Sequence, residues 1–267
     1  MILVSIPTLN RFWNFALTMV CMVNAELPTP RRMILVDDGT NDGSAETKRR
    51  LAETTGLFDE TIWRPARLGK NTYFHEVMAR VLDDSSVDLW LHHDDDLCFG
   101  PSAIRDLVDD YEQYLRRGVL FGFVNDWRDR DAGPCNGPLR HTKMLGGASF
   151  LQSRNTLRAI GNPFADPAFR QGNELRLWDR YREAGETLAY RDPPYPVQHT
   201  ANAESVLNGH QENWRHLRSR DRAGRVAQIP PYDVDELHQA IDSGRLETFV
   251  RSANDRAAVK VLLPPAV

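Results

Sequence analysis

The amino-acid sequence predicts an α/β fold, in which a mostly parallel sheet is flanked by helices and followed by a mainly helical or irregular C-terminal extension. Strand-like and helix-like segments alternate along residues 1–125, which is typical of a parallel sheet. Three of the strand-like runs also end in polar segments, at residues 7–10, 37–44 and 94–96. Because open α/β sheets bind ligands at the carboxyl ends of their strands, we expect these three segments to gather into one site.

The composition limits the number of domains, the kinds of partner and the cellular compartment that we expect for the protein. Of the 267 residues, 41% are hydrophobic and 26% are charged, which suits one large domain or one domain with a small appendage. The net charge of -4 gives no general attraction to nucleic acid or anionic membranes. The three cysteines are far apart and lack metal-site spacing, so we expect reduced thiols and a cytoplasmic protein. We expect no signal peptide and no transmembrane segment, because the sequence opens on a short strand-like run.

Strands and helices are predicted in alternation through the first half of the chain. The first helix follows from apolar residues spaced three and four apart, and Asn10 is its predicted N-cap. The last helix of this half is predicted to begin near Pro101 and to stop at Gly118. The predicted strands are residues 2–6, 32–36, 61–63, 87–91 and 119–124, and the predicted helices lie at 12–23, between Ser44 and Gly56, at 74–82 and at 104–115.

The pattern is looser after residue 125. Residues 126–143 are polar and rich in glycine and proline, which predicts a loop or an irregular hairpin. Glycine-rich residues 146–151 precede a predicted helix that ends at Gly161, and another helix is predicted from residue 172 to Gly185. Residues 193–197 then lead to His199. We therefore divide the chain into a domain of residues 1–205, with halves 1–125 and 126–205, and an extension of residues 206–267.

An acidic triplet, Asp94, Asp95 and Asp96, follows the hydrophobic strand in the segment VDLWLHHDDDL. Three adjacent carboxylates repel one another unless water or a cation intervenes. At the end of a strand Asp94 and Asp96 point the same way, and their oxygens suit Mg²⁺ or Mn²⁺. The alternative interpretation is a solvated acidic turn.

The order of several short motifs resembles the inverting nucleotide-sugar glycosyltransferases of the family-2 type, which have the GT-A fold. The motifs are VSIPTLNR, ILVDDGTNDGS, HHDDDLCFGP, GGASFLQSR with AIGNPF, GNELRLWDRYREAG and PVQHT, and together they cover residues 1–205. Two motifs depart from the family pattern. The usual Glu-Asp pair is Asn173-Glu174 here, and the usual donor-binding loop is reduced to residues 67–71.

The resemblance implies roles for individual residues. It makes residues 1–125 the half that binds a nucleotide sugar, with a Mn²⁺ or Mg²⁺ cofactor, and residues 126–205 the half that binds the acceptor. Asp94 is expected near the ribose or a metal-bound water, and Glu174 is expected to be the general base. The implied nucleotide-binding residues are Pro7, Thr8, Asn10, Arg11, Asp38, Gly69, Asn71, Asp94 and Asp95; the implied metal ligands are Asp96 and His199; and Gly147 and Asn173 are implied to contact the acceptor or sugar.

The expected activity is hexosyl transfer from a UDP-sugar to a hydroxyl group of a glycan, a small molecule or a modified polymer. A carboxylate after the second strand, Asp38 or its neighbour Asp37, can accept the imide N–H of uracil, although Asp-Asp-Gly-Thr is also a good turn sequence. A nucleic-acid acceptor is not favoured. The arginines of residues 215–225 could close over the diphosphate or contact a polyanion, and a solvated surface is the alternative.

Two other interpretations were compared with this one. A domain of the same fold could bind a nucleotide or sugar without catalysis. A metal-dependent phosphohydrolase is less consistent with the sequence, because Val36 occupies the nucleophile position of the haloacid-dehalogenase pattern. The His93-Asp94 pair resembles the HD phosphohydrolases, but it follows a strand rather than lying on a helix.

Overall fold

A mixed sheet forms the centre of the computed structural model, which describes residues 1–123, 133–143, 147–170, 176–195, 197–199 and 243. Within those residues, eight strands pair in the order β3-β2-β1-β4-β8-β6-β9-β7, and β5 and β10 form a small separate sheet. The strands are β1 Ile2–Thr8, β2 Arg31–Asp37, β3 Glu60–Trp63, β4 Leu89–His93, β5 Leu97–Phe99, β6 Val119–Phe121, β7 Leu139–His141, β8 Ser149–Ser153, β9 Leu188–Arg191 and β10 Val197–His199.

Seven α-helices lie between these strands in the described ranges. They are α1 Phe12–Val23, α2 Ala45–Thr55, α3 Lys70–Asp83, α4 Ala103–Asp110, α5 Arg154–Ile160, α6 Pro167–Arg170 and α7 Arg176–Glu183. A single π-turn, Tyr111–Leu115, continues from α4. The predicted α/β architecture is confirmed, and so is the alternation of strands and helices in the first half.

The sheet is parallel from β3 to β4 and mixed beyond β4. β8 runs antiparallel to both of its neighbours, β4 and β6, and β7 runs antiparallel to β9. β6 and β9 are parallel to each other. The mostly parallel pattern predicted from the sequence therefore describes the amino-terminal half of the sheet best.

Alternate residues of the parallel strands enter two separate hydrophobic cores, because successive side chains point to opposite faces of a sheet. Val4 and Leu35 pack with α1 and α4 on one face. Leu3 and Ile34 pack with α3 and the aromatic residues of α7 on the other face. Burial on both faces explains why β1 and β2 are continuous hydrophobic runs.

Local details differ from the sequence predictions at three places. Asn10 does not cap α1: the N-cap is Arg11 in the left-handed region, and no side chain provides the cap hydrogen bond. The acidic triplet lies in a turn between β4 and β5, and β5 was not predicted. β9, a strand of four residues, was not predicted either.

None of the helices in the described ranges is long and apolar enough to cross a membrane. The extension of residues 206–267, and with it the arginines of residues 215–225, lies outside the described residues except for Ser243. The helical or irregular structure predicted for this extension therefore stays a prediction.

Gly118 provides a test of the backbone geometry at the start of β6. Its φ is +106°, and an added Cβ would lie 2.3 Å from the Thr187 carbonyl oxygen. Gly185 also has a positive φ, of +73°, but an added Cβ there would meet nothing within 4 Å. Gly185→Ala should therefore cost about 1 kcal/mol of backbone strain, and Gly118→Ala should cost about 1–3 kcal/mol more because of the steric clash.

The free energy of unfolding in urea measures both variants. Equal losses in the two variants would mean that the Thr187 backbone moves aside at no cost.

Candidate functional site

Three loops meet at the carboxyl ends of β1, β2 and β4. Thr8 Oγ1, at the end of β1, donates a 2.6 Å hydrogen bond to Asp95 Oδ2. The Asn10 backbone N–H donates to Thr40 Oγ1 at 3.0 Å. Arg11 donates to Asp96 Oδ2 at 2.8 Å. The predicted gathering of the three post-strand segments is therefore confirmed.

Two basic side chains lie directly against the acidic triplet. Arg11 lies 2.8 Å from Asp96 and 3.4 Å from Asp95. Lys70 Nζ donates to Asp94 Oδ2 at 2.9 Å. Asp95 and Asp96 are each only 3% exposed, so these cations offset a charge repulsion that water screens poorly. The triplet therefore forms a largely buried ionic cluster with these two cations, which argues against the alternative of a solvated acidic turn.

A third cation, Lys48, lies fully buried between the first two loops. Its Nζ donates to Thr8 Oγ1 at 2.7 Å and to Thr40 Oγ1 at 3.2 Å, and it lies 3.7 Å from Asp37. Burial lowers the pKa of Lys48, and the nearby charges of Asp95 and Asp37 raise it. Lys48 thus connects the end of β1 to the loop after β2.

Lys48 was not among the residues predicted from the sequence, although a signal was present. Lys48, Leu51, Ala52 and Thr55 are spaced three and four apart and form the buried face of α2. A lysine is almost never fully buried without partners, so its place on that face indicates a buried acidic cluster.

Asp38 fixes the loop that leads into α3. Its carboxylate accepts hydrogen bonds from Arg64 Nη1 at 2.6 Å, from the Leu68 N–H at 2.9 Å and from the Gly69 N–H at 2.8 Å. An ionised carboxylate has about four lone-pair sites, so the contacts from the described residues leave room for about one more donor. Gly69 has a φ of +90°, which favours glycine at this position.

The remaining nucleotide-site candidates lie around these loops. Pro7 pairs in register with Val36 within the sheet. Asn10 makes two hydrogen bonds with Asn41. The Asn10 side-chain N–H donates to Asn41 Oδ1, and the Asn41 backbone N–H donates to Asn10 Oδ1. The Asn71 amide donates to the Arg170 carbonyl at 2.6 Å, so Asn71 ties α3 to the end of α6.

Of the candidate residues on the acceptor side, the structure describes only Gly147. Gly147 immediately precedes Ala148, whose carbonyl accepts a 2.7 Å hydrogen bond from the Asp94 N–H. An added Cβ at Gly147 would lie 3.3 Å from the Trp178 ring, so the backbone passes close to that indole. Asn173 and Glu174 lie outside the described residues.

The two predicted metal ligands, Asp96 and His199, lie on neighbouring stretches of backbone. His199 is described by its backbone, which pairs antiparallel with Leu97, the residue after Asp96. Among the described side chains, no group of three or more His, Cys, Asp and Glu residues is arranged to hold a metal ion. Carboxylate donors suit both Mn²⁺ and Mg²⁺, and an imidazole donor favours Mn²⁺ over Mg²⁺.

Asp95 gives the site a pH-dependent stability. Burial and the neighbouring Asp96 raise the pKa of Asp95 from 3.8 to about 7, against the opposing charge of Arg11. The folded protein therefore holds a proton that the unfolded chain releases above about pH 4. This stabilisation is fully present below about pH 4 and is lost as the pH rises through about 7.

Asp95→Asn should remove that dependence. Between about pH 4 and 7, without divalent cations, the free energy of unfolding of the parent should fall relative to the variant by up to about 1.4 kcal/mol per pH unit. Asp83→Asn, at an exposed position on α3, is the control. If the parent and the Asp95→Asn variant change in parallel across this range, Asp95 does not titrate there.

Solved structures of known glycosyltransferases share this fold. TarS from S. aureus superposes with a TM-score of 0.56 at 13% identity, over 98% of this chain and 46% of its own. TarS residues 1-349 in complex with UDP superpose with a TM-score of 0.55 at 11% identity, over 96% of this chain and 88% of that chain. The mannosyltransferase PcManGT from Pyrobaculum calidifontis, in complex with GDP-Man and Mn²⁺, has a TM-score of 0.50 at 15% identity, over 98% of this chain and 76% of that chain.

The chain thus spans about half the length of full TarS. No curated protein sequence matches it significantly. The sequence profile described as "Glycosyl transferase family 2" matches residues 3–136, which contain β1, β2, β4 and all three loops of the site. The match covers half of the chain, and the chain belongs to glycosyl transferase family 2.

Proposed function

We propose that the protein transfers a sugar from a nucleoside diphosphate sugar, specifically a UDP-sugar, to an acceptor hydroxyl with inversion at the anomeric carbon. The observation that carries this proposal is the convergence of the loops after β1, β2 and β4 around the acidic triplet, within the part of the chain that matches the family. UDP and GDP-mannose are bound in two of the similar structures, which supports a nucleotide ligand.

The nucleotide is proposed to bind along the edge formed by these loops. Asp38 has capacity for about one more donor, which the imide N–H of uracil would supply. Thr8, Asn10 and Arg11 border the same edge, and Asp95 is tied to Thr8. The backbone of Pro7 and the segment from Gly69 to Asn71 complete the proposed nucleotide site.

The diphosphate would meet the cations of this chain. The side chains of Arg11 and Lys70 are 40% and 32% exposed while they pair with the triplet, so each can also reach an anion at the surface of the site. Charge-assisted hydrogen bonds from these groups would stabilise the negative charge that develops on the leaving diphosphate.

Asp96 and His199 are the proposed metal ligands, with Asp94 near the ribose or a metal-bound water. The pairing of the His199 backbone with Leu97 supports this assignment, because it brings residue 199 beside the segment that follows Asp96. A bound Mn²⁺ or Mg²⁺ would neutralise charge on the diphosphate. Arg11 donates to Oδ2 of Asp96, so a metal ion that bound this oxygen would compete with the ion pair.

Glu174 is the proposed general base, in the segment that immediately precedes α7. Its carboxylate would take the proton from the acceptor hydroxyl. The hydroxyl oxygen would then bond to the anomeric carbon as the bond from that carbon to the diphosphate oxygen breaks. Attack from the face opposite the leaving group inverts the configuration. Gly147 and Asn173 are proposed to border the acceptor or the sugar.

Asp96→Asn should abolish the metal dependence of nucleotide binding, because the amide keeps the shape of the side chain and removes its charge. Isothermal titration of UDP with Mn²⁺ and with EDTA measures this dependence. Asp83→Asn is the control, since it makes the same chemical change at an exposed position. Unchanged metal dependence in Asp96→Asn would remove Asp96 from the metal site.

Glu174→Gln should lower kcat by roughly 10²–10⁴ and leave donor affinity unchanged, because glutamine keeps the size of the side chain but cannot accept the proton. Asp179→Asn is the matched control on α7, where the Asp179 carboxylate is half exposed and paired with Arg182. Near-normal turnover by Glu174→Gln, or a product with the anomeric configuration of the donor, would contradict the mechanism. A parent protein that binds UDP-sugars and never turns them over would be a binding domain instead.

A further inference from the structure

A continuous row of buried polar side chains leads from the interior of the sheet to Asp94. Trp90 Nε1 donates to Ser5 Oγ at 2.7 Å, and Ser5 Oγ lies 2.6 Å from the Tyr73 hydroxyl. The Tyr73 hydroxyl lies 2.9 Å from His92 Nδ1. His92 Nε2 lies 3.0 Å from Asp94 Oδ1, a close polar contact that is not aligned as a hydrogen bond. We call these five side chains the Asp94 chain.

The two ends of the Asp94 chain fix its direction. The Trp90 indole N–H can only donate a hydrogen bond, and an ionised Asp94 can only accept one. A neutral His92 must carry its proton on Nε2, because a bare nitrogen lone pair 3.0 Å from the Asp94 carboxylate would repel it. Tyr73 then donates to His92 Nδ1, and Ser5 donates to Tyr73. Hydrogen bonds that all point one way polarise and strengthen one another.

Packing holds the His92 ring in this orientation. The ring is fully buried, and its centroid lies 5.0 Å from that of Phe74 and 4.9 Å from that of Phe150. Tyr73 and Trp90 are also at most 1% exposed. A close-packed aromatic environment leaves little room for the imidazole to turn and present its other nitrogen.

The Asp94 carboxylate is held from both sides as a result. His92 faces Oδ1 and Lys70 donates to Oδ2. Burial alone would raise the pKa of Asp94, but Lys70 and then His92 hold that pKa well below its usual range. Burial raises the pKa of Tyr73 well above its usual value, which suits a hydroxyl that stays protonated and donates.

We propose that Tyr73 and His92 are positioning residues, which orient the Asp94 carboxylate for its contact with the bound donor. This inference rests on the proposed function, in which Asp94 lies near the ribose or a metal-bound water. Both side chains are fully buried and act through Asp94, so neither touches the substrate. Nucleotide affinity should therefore depend on a tyrosine hydroxyl that the nucleotide never contacts.

Tyr73→Phe tests the proposal, and Tyr181→Phe is its matched control. Tyr181 is also fully buried, and its hydroxyl donates to Gln152 Oε1, outside the Asp94 chain. Each variant loses one buried hydroxyl and should lose a similar free energy of unfolding. The Kd for UDP with Mn²⁺ should rise about threefold to tenfold in Tyr73→Phe and stay within about twofold in Tyr181→Phe. Equal affinities in the two variants would overturn the proposal.

The tautomer of His92 is a second readout that needs no nucleotide. Two-bond ¹⁵N–¹H correlation spectra of the parent should show neutral His92 with its proton on Nε2, assigned by the signal that is lost in His92→Gln. The Nδ1 resonance should move in Tyr73→Phe, because that nitrogen loses its donor, and should not move in Tyr181→Phe. A proton on Nδ1, or an imidazolium at neutral pH, would overturn the direction of the chain.

Two further outcomes can be distinguished: failure of the variant to fold, and failure of the proposed function. If Tyr73→Phe does not fold, Ser5→Ala interrupts the same chain one link earlier, and weaker UDP binding is again expected; unchanged binding would overturn the proposal. If the parent shows the expected tautomer and binds no nucleotide, the proposed function fails. The hydrogen-bond chain would then be confirmed as a structural feature, without the proposed role in donor binding.

Discussion

The mutual repulsion of three carboxylates at the end of β4 is the constraint on which the site depends. Asp95 and Asp96 are nearly inaccessible to water, so their charges must be offset by the protein itself. Arg11 comes from the loop after β1, Lys48 from α2 and Lys70 from the start of α3. Meeting this electrostatic requirement therefore draws three separate elements together around one turn.

The parallel half of the sheet makes that meeting possible. β1 lies between β2 and β4, so the loops that follow these strands emerge side by side at one edge. The hydrogen bonds between Thr8 and Asp95 and between Asn10 and Thr40 join neighbouring loops, not distant ones. The site is thus a consequence of strand order, and the two hydrophobic cores hold that order in place.

The proposed nucleotide half and the proposed acceptor half have different structural support. Loops after β1, β2 and β4 are fixed by buried ion pairs and by the Asp38 contacts to the 64–69 loop. On the other side, β8 runs antiparallel between β4 and β6 and brings Ala148 to the backbone of Asp94. An antiparallel strand at this place lets the second half of the chain reach the acidic triplet directly, which suits a donor and an acceptor that must meet there.

The sequence by itself determined the strands and helices of residues 1–123 other than β5, because an element that is buried on one face or on both leaves a recognisable pattern of apolar residues. It also determined that polar post-strand segments would gather, since that follows from parallel topology alone. Periodicity reports which face of an element is buried, but it does not report the partner of a polar side chain.

Only the tertiary structure decided those partners. Asn10 has a side chain typical of a helix cap and instead binds Asn41, because the β2 loop lies beside it. The spacing of α2 places Lys48 on the buried face, but only the packing of α2 on the loops gives it Thr8 and Thr40 as partners. Tyr73 and His92 are 19 positions apart and form a hydrogen bond only because α3 packs on β4. Contacts between residues distant in the chain depend on how whole elements pack, and no local pattern encodes that arrangement.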